Sequence, residues 1–204
     1  MADFTQVAQD EAIGAAVTAL EANNFKVTVV DTAVGAKDAV LAALPKGAEV
    51  FTVTSRTLDD TGIRAAINES GDYDAIQPKL NAMMGDATKK AEQRRLGSAP
   101  EYVVGSVHAL TQDGRALIAS ATGSQLPSYA YGAGNVIWVV GAHKIVKDMH
   151  EAFERLEQHV FPLEDERAQQ AYGTHSSINK VLTVNKEANP ERIRIIIVKE
   201  TLGF

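Results

Sequence analysis

Short β-branched runs alternate along this chain with apolar stripes of helical period. Ile13, Ala16, Val17 and Leu20 fall at i, i+3, i+4 and i+7, one face of a helix. Asp3 or Thr5 is placed to cap its start. Asn23-Asn24 breaks it, and Val27 to Val30 reads as a strand. Ala36 to Leu44 is helical again and is closed by Pro45-Lys46-Gly47. Val50 to Val53 is a second strand, followed by Thr54-Ser55-Arg56-Thr57. This β-α-β rhythm predicts an α/β fold, a mostly parallel sheet flanked by helices and joined by right-handed crossovers. Asp60 to Glu69 continues as helix, and Ser70-Gly71-Asp72 turns the chain. Ala87 to Leu96 is a polar, exposed helix carrying Lys89, Lys90, Arg94 and Arg95, a solvated basic face beside Asp86 and Glu92.

The second half has a quicker beat. Tyr102 to Val104 is strand-like. Leu110 and the Ala116 to Ala119 run flank Thr111-Gln112-Asp113-Gly114, and Asp-Gly between apolar runs signals a hairpin. Leu126 to Tyr131 reads as a helix with Pro127 in its first turn. Val136 to Val140, five apolar residues between Asn135 and Gly141, suits a buried central strand. Met149, Ala152, Phe153, Leu156 and Val160 mark an amphipathic helix, with Asp148 at its cap and Pro162 as its stop. Leu163 to Asn179 then reads as a long connection, of the kind that is often functional or clasps a subunit. Val181 to Val184 and Ile193 to Val198 are the last strands, with a turn at Lys186 to Pro190. No linker or repeat divides residues 1–204, so a single domain is expected.

Composition narrows the chemistry. The chain has 204 residues, a formal net charge of −6 and no cysteine. Disulfides, cysteine zinc sites, cysteine-ligated iron–sulfur clusters and cysteine nucleophiles are therefore excluded. The acid excess argues against a nucleic-acid-wrapping surface. No apolar run approaches a membrane span. Met1-Ala2-Asp3-Phe4 lacks the basic start and apolar core of a signal peptide, so the expected compartment is the cytoplasm.

There is no G-x-G-x-x-G, Walker loop, H-E-x-x-H or G-x-S-x-G, so no motif calls for a cofactor. Two polar segments stand where α/β proteins bind ligands, at the carboxyl ends of strands. Thr54-Ser55-Arg56-Thr57 follows the second strand. Ser120-Ala121-Thr122-Gly123-Ser124-Gln125 follows the Ala116 to Ala119 strand. Small residues there let backbone amides approach an anion, although the same residues also suit helix caps. Lys144, after the Val136 to Val140 strand, would neutralise an anion or lie on the surface. His150 and Glu154 form half a metal motif with no second helical histidine, so no metal site is expected. His175 lies in the long connection, where a histidine is usually exposed.

The segments together resemble the lactate-utilization (LUD) domain family, formerly a domain of unknown function. The likeness rests on VFTVTSRTLDDTG (Val50 to Gly62), on YVVGSVHALTQDGRALIASATGSQLPSYAYGAGNVIWVVGAHKIVKD (Tyr102 to Asp148) and on IRIIIVKETLGF (Ile193 to Phe204). HVFPLEDERAQQAYG and SSINKVL are also similar. The resemblance implies the fold shared by glucosamine-phosphate isomerases, ribose-phosphate isomerases and CoA transferases. It also implies company with iron–sulfur oxidoreductase subunits that oxidise L-lactate to pyruvate. Some relatives have cysteines near the C-terminal region; this chain offers no cluster ligands of its own.

On this reading Thr54, Ser55, Thr122, Gly123, Ser124 and Lys144 hold a small anion, a carboxylate, phosphate ester or CoA-like molecule, in an accessory component of lactate utilisation. The alternative is an isomerase or acyl/CoA transferase, with Asp113, His108, His143 and Glu200 as candidate bases or nucleophiles. A third is an assembly subunit, resting on the Leu163 to Asn179 connection and on Tyr129, Tyr131 and Trp138, which equally suit a core. Fold precedent makes a homo-oligomer plausible.

Overall fold

The structure, a computed structural model, describes residues 3–204. Ten strands run β1 Lys26–Val30, β2 Glu49–Thr52, β3 Asp74–Ala75, β4 Tyr102–Gly105, β5 Ala109–Thr111, β6 Ala116–Ser120, β7 Asn135–Gly141, β8 Ile145–Val146, β9 Lys180–Val184 and β10 Ile193–Val198. Six of them form one sheet in the order β1-β10-β7-β4-β2-β3, and every neighbour pair is parallel. The α/β reading of the sequence therefore holds.

Both faces of this sheet are covered, as parallel sheets require. Strand alternation divides β7 between two cores. Val136, Trp138 and Val140 point to one side, with Ile193, Ile195 and Ile197 of β10. Ile137 and Val139 point to the other, with Ile196 and Val198. These aliphatic side chains are essentially unexposed, and burying each contributes about 1.5–3 kcal/mol. The second core is closed by α2 (Ala33–Ala43) through Ala36 and Val40, and by α4 (Ile63–Asn68) through Ile63 and Ile67. α1 (Asp10–Ala22) seals the first with Ile13, Ala16 and Leu20, and α5 (Ile76–Ala82) and α6 (Lys90–Ser98) add Ile76 and Leu96 to it.

A second sheet, not legible in the sequence, stacks on that first core. Its order is β8-β5-β6-β9. The Asp113-Gly114 hairpin joins β5 to β6 as expected, with Gly114 at φ +85°. Leu110, Ala116 and Ile118 face the large sheet, and Ala109, Leu117 and Ala119 face away. The last two strands are thus not partners: β9 pairs with β6, whereas β10 lies inside the large sheet.

The outer face of the small sheet packs on a helix that corrects the expected stop at Pro162. α7 (Met149–Arg155) runs through a wide turn, Leu156–Val160, into α8 (Phe161–Tyr172). In the wide turn the Phe161 N–H donates to Leu156 O, five residues back, so the pairing has shifted before the proline. Such a shift relieves the clash and the missing donor that a proline brings to a regular helix. The expected connection from Leu163 is therefore helical as far as Tyr172. Asp148 caps α7 as expected, accepting from the Glu151 N–H at 3.1 Å. Asp3 and Thr5 do not cap α1: they bond each other, and Gln9 holds the cap position without a side-chain bond.

Candidate functional site

The carboxyl ends of β2, β4 and β7 open on one side of the sheet. A cleft of about 840 Å³ lies there, closed above by the small sheet's loop and by the wide turn. Its size is that of small-molecule sites. All six expected residues line it: Thr54 and Ser55 after β2, Thr122, Gly123 and Ser124 after β6, and Lys144 after β7. Their states differ. Ser55 takes the cap position of α3 (Arg56–Asp60), yet its hydroxyl makes no capping bond. The 120–125 loop is folded on itself instead. The Gly123 N–H donates to Ser120 Oγ at 2.8 Å, and the Thr122 hydroxyl donates to Ser124 Oγ at 3.2 Å. Gly123 stands at φ +84°, a conformation that favours glycine; a Cβ there would meet only the flexible end of the Lys180 side chain, which can move aside.

Lys144 is buried, 2 % exposed. The 3-10 turn Ala142–Lys144 directs its side chain back under the sheet's rim. Nζ donates to Thr57 Oγ1 at 2.9 Å, with Ser106 Oγ at 3.4 Å. Thr57 in turn donates to Leu202 O at 3.1 Å. No carboxylate pairs with Lys144 among the described residues. Burial pushes its pKa down to about 7, aided by the nearby Arg155 charge and opposed by Asp60.

Arg155, on α7, is wholly buried. Nη1 donates to His108 O at 2.6 Å, while Nε and Nη2 have no partner among the described residues. Burial lowers its pKa to about 10, so it stays charged at neutral pH. His108, half-buried on the cleft wall, accepts the Ala119 N–H on Nδ1 at 3.1 Å. That bond places the ring proton of the neutral histidine on Nε2. His143 is buried, and neither ring nitrogen has a partner among the described residues. Burial, then the charges of Lys144 and Arg155, hold both histidines down to a pKa of about 3. Tyr129 Oη completes this wall, donating to Ser106 O at 3.2 Å. The chemistry on offer is a set of donors around Lys144, with the buried Arg155 charge behind the wall; the carboxylates that line the cleft, Asp59 and Glu164, are paired with Arg64 and Arg167.

The other candidates are elsewhere. Asp113 is tied to Arg115 in the exposed hairpin turn. Glu200 Oε2 accepts the Ala33 N–H at 3.0 Å, at the start of α2. His175 is exposed and bonds Asp165. His150 and Glu154 face each other across 3.7 Å on an exposed surface, and no cluster of metal-ligating side chains occurs among the described residues. Tyr129 and Trp138 belong to the core, their rings 5.5 Å apart at 71°, whereas Tyr131 is 89 % exposed. Arg94, expected on a solvated face, also borders the cleft.

Sequence reasoning missed Ser106 and Arg155, and weighed Thr57 only as part of the Thr54-Ser55-Arg56-Thr57 segment. For Arg155 a signal existed. It stands three residues after Ala152 and one before Leu156, a cation set within the helix's own apolar stripe. Nothing set Thr57 apart from its segment or marked Ser106, because hydroxyls after strands are common and only the fold aims these two at Lys144.

No helix among the described residues is long and apolar enough to cross a membrane. None of the curated proteins matches the chain. A crystal structure of a DUF162 family protein from Deinococcus radiodurans matches with a TM-score of 0.59 at 13% identity, over 94% of this chain and 99% of that one. DUF162 is the former name of the LUD domain. The family model of the LUD domain matches residues 13–198, from the first buried residue of α1 to the end of β10. With every strand of the parallel sheet inside that span, the chain belongs to the LUD domain family.

Proposed function

We propose that this protein binds a small anionic ligand, a carboxylate, phosphate ester or CoA-like molecule, at the carboxyl ends of β2, β4 and β7. Membership of the family supports a role related to lactate utilisation. Within that role the chain acts as an accessory component beside iron–sulfur oxidoreductase subunits, to which it brings no cysteine of its own.

One observation carries this reading. Lys144 and Arg155 are buried near one another, and neither has a carboxylate partner among the described residues. Arg155 keeps its charge, Lys144 takes up its proton as pH falls through about 7, and a bound anion would then supply the countercharge that a buried cation otherwise lacks. Ser55 and Thr54 add hydroxyls that no other described group engages.

A thermal-shift screen with lactate, pyruvate, phosphate, sugar phosphates and CoA tests it. A ligand at 100 times its Kd stabilises the fold by about 2.7 kcal/mol. Lys144→Met is expected to weaken the responding anion about 10- to 150-fold, the worth of one charge-assisted hydrogen bond. The shift should grow as pH falls through 7, where Lys144 gains its proton. Unchanged affinity in Lys144→Met would remove Lys144 from the site, and no shift with any anion would remove the proposal.

A further inference from the structure

We propose that Lys144 is a covalent site for carbonyl compounds: its side-chain nitrogen condenses with a 2-oxo acid or aldehyde held in the cleft to form an imine. This rests on the reading that a small anion occupies the cleft, and it narrows that anion to one bearing a carbonyl.

The argument starts from counting hydrogens. A primary amine has two N–H groups and one lone pair; an ammonium has three N–H groups and none. Nζ of Lys144 meets two acceptors, Thr57 Oγ1 at 2.9 Å and Ser106 Oγ at 3.4 Å. Both hydroxyls spend their own protons elsewhere, Thr57 on Leu202 O and Ser106 on Val107 O, so both present lone pairs to Nζ. The amine form is thus fully satisfied and keeps its lone pair free. The ammonium form would bury a third donor that no described residue accepts, which is costly.

The charged groups around it point the same way. Arg155 faces it from α7 and opposes a second positive charge. Asp60 on α3 is the opposing acid, but that carboxylate is already engaged by Arg56 at 3.0 Å and by the Gly203 N–H at 2.9 Å. His108 after β4 and His143 beside it stay neutral and add no negative charge. The lysine therefore borders a ligand-sized cleft with a large share of its amine form present near pH 7. Lysines desolvated in this way are suited to Schiff-base chemistry.

The step balances without any other reagent. The nitrogen lone pair attacks the carbonyl carbon and the C=O π pair moves to oxygen. A proton passes from nitrogen to that oxygen, giving a carbinolamine. The C–O bond then breaks, and the oxygen leaves as water with the second nitrogen proton. A C=N bond remains. His108 Nε2–H, on the same wall, is a donor available to the carbonyl oxygen.

Reductive trapping is the test. The whole protein is incubated with pyruvate or glyoxylate and sodium cyanoborohydride from pH 6 to 9, then examined by intact mass and peptide mapping. A surface lysine with a pKa near 10.4 has only about one amine in 2,500 at pH 7. Trapping at Lys144 should therefore run about 10³-fold faster per residue, saturate with pyruvate and rise through pH 7. Noncovalent binding of lactate, which has no carbonyl, should change with pH in the opposite direction. Lys144→Arg and Lys144→Met should lose the adduct. Should they misfold, protection of the wild-type lysine by excess lactate or phosphate reads the same site. Adducts spread over exposed lysines, or pyruvate and lactate raising Tm alike with no trapping at Lys144, overturn the imine and leave the anion site standing. Absence of both trapping and thermal shift removes the two together.

Discussion

Individual side chains set how this protein responds to pH. In the unfolded chain Lys144 titrates near its ordinary value of 10.5, and in the fold near 7. Between those values the unfolded state binds more protons, so stability rises with pH across that window. Lys144→Met removes the effect. The variant should gain stability relative to wild type at pH 6–7, and the gain should shrink to nothing by about pH 10 in urea titrations at several pH values. A difference that does not vary with pH would mean that the lysine is not desolvated. The histidines act lower. His143, held down to about 3, binds a proton in the unfolded state from about pH 6.5 downward but resists it in the fold. Stability is then lost progressively between those values. Because the ring makes no side-chain hydrogen bond and only a weak approach to the Glu200 backbone, His143→Leu should keep neutral stability to within about 1–1.5 kcal/mol and flatten the acid limb of a Tm against pH curve. At this scale the sequence was partly legible. Position after a strand was enough to single out Lys144, but its burial came from the 3-10 turn at Ala142 and from the chain around Leu202, which no local pattern announces.

At the scale of the element, close approach decides more than propensity. β4 ends on Gly105, where a Cβ would stand 1.8 Å from Tyr129 Oη and 2.5 Å from Val53 Cγ2. The space is filled by the tyrosine that bonds Ser106 O, next to the serine that faces Lys144. Gly105→Ala should cost about 1–3 kcal/mol or more by overpacking. It should also weaken whatever the cleft binds, since Tyr129 and Ser106 must both shift. Chemical denaturation together with ligand titration checks the pair of effects; a fully stable variant would show that the tyrosine moves freely. The helix after Asp148 shows where element reading failed. Pro162 is a sound stop signal for a helix of ordinary pitch, and the wide turn at Leu156–Val160 is what annuls it. Leu156, Val160 and Phe161 all border the cleft, so the segment that lets the helix pass the proline also builds one wall of the site.

Across the whole molecule, the parallel sheet was readable because β7 and β10 are apolar on both faces, and such runs fit only a sheet covered twice. The small sheet was not readable. β5 and β8 are three and two residues long, and β9 sits beside β6 only through tertiary packing. The order of strands carries a further consequence, for how the protein is made. β10 lies between β1 and β7, with Arg194 opposite both Lys26 and Ile137. A nascent chain therefore carries β1 unpaired in the large sheet, and β7 open on one side, until β10 has left the ribosome. Contacts so distant in sequence form slowly and leave apolar edges exposed meanwhile. A chain halted after Pro190 should remain protease-sensitive from β1 onward, and the added residues through Phe204 should convert it to resistance in one step. Resistance acquired before Ile193 emerges would show instead that the halves fold separately. During synthesis, then, the large sheet waits around one empty place, and only the arrival of β10 joins its two sides.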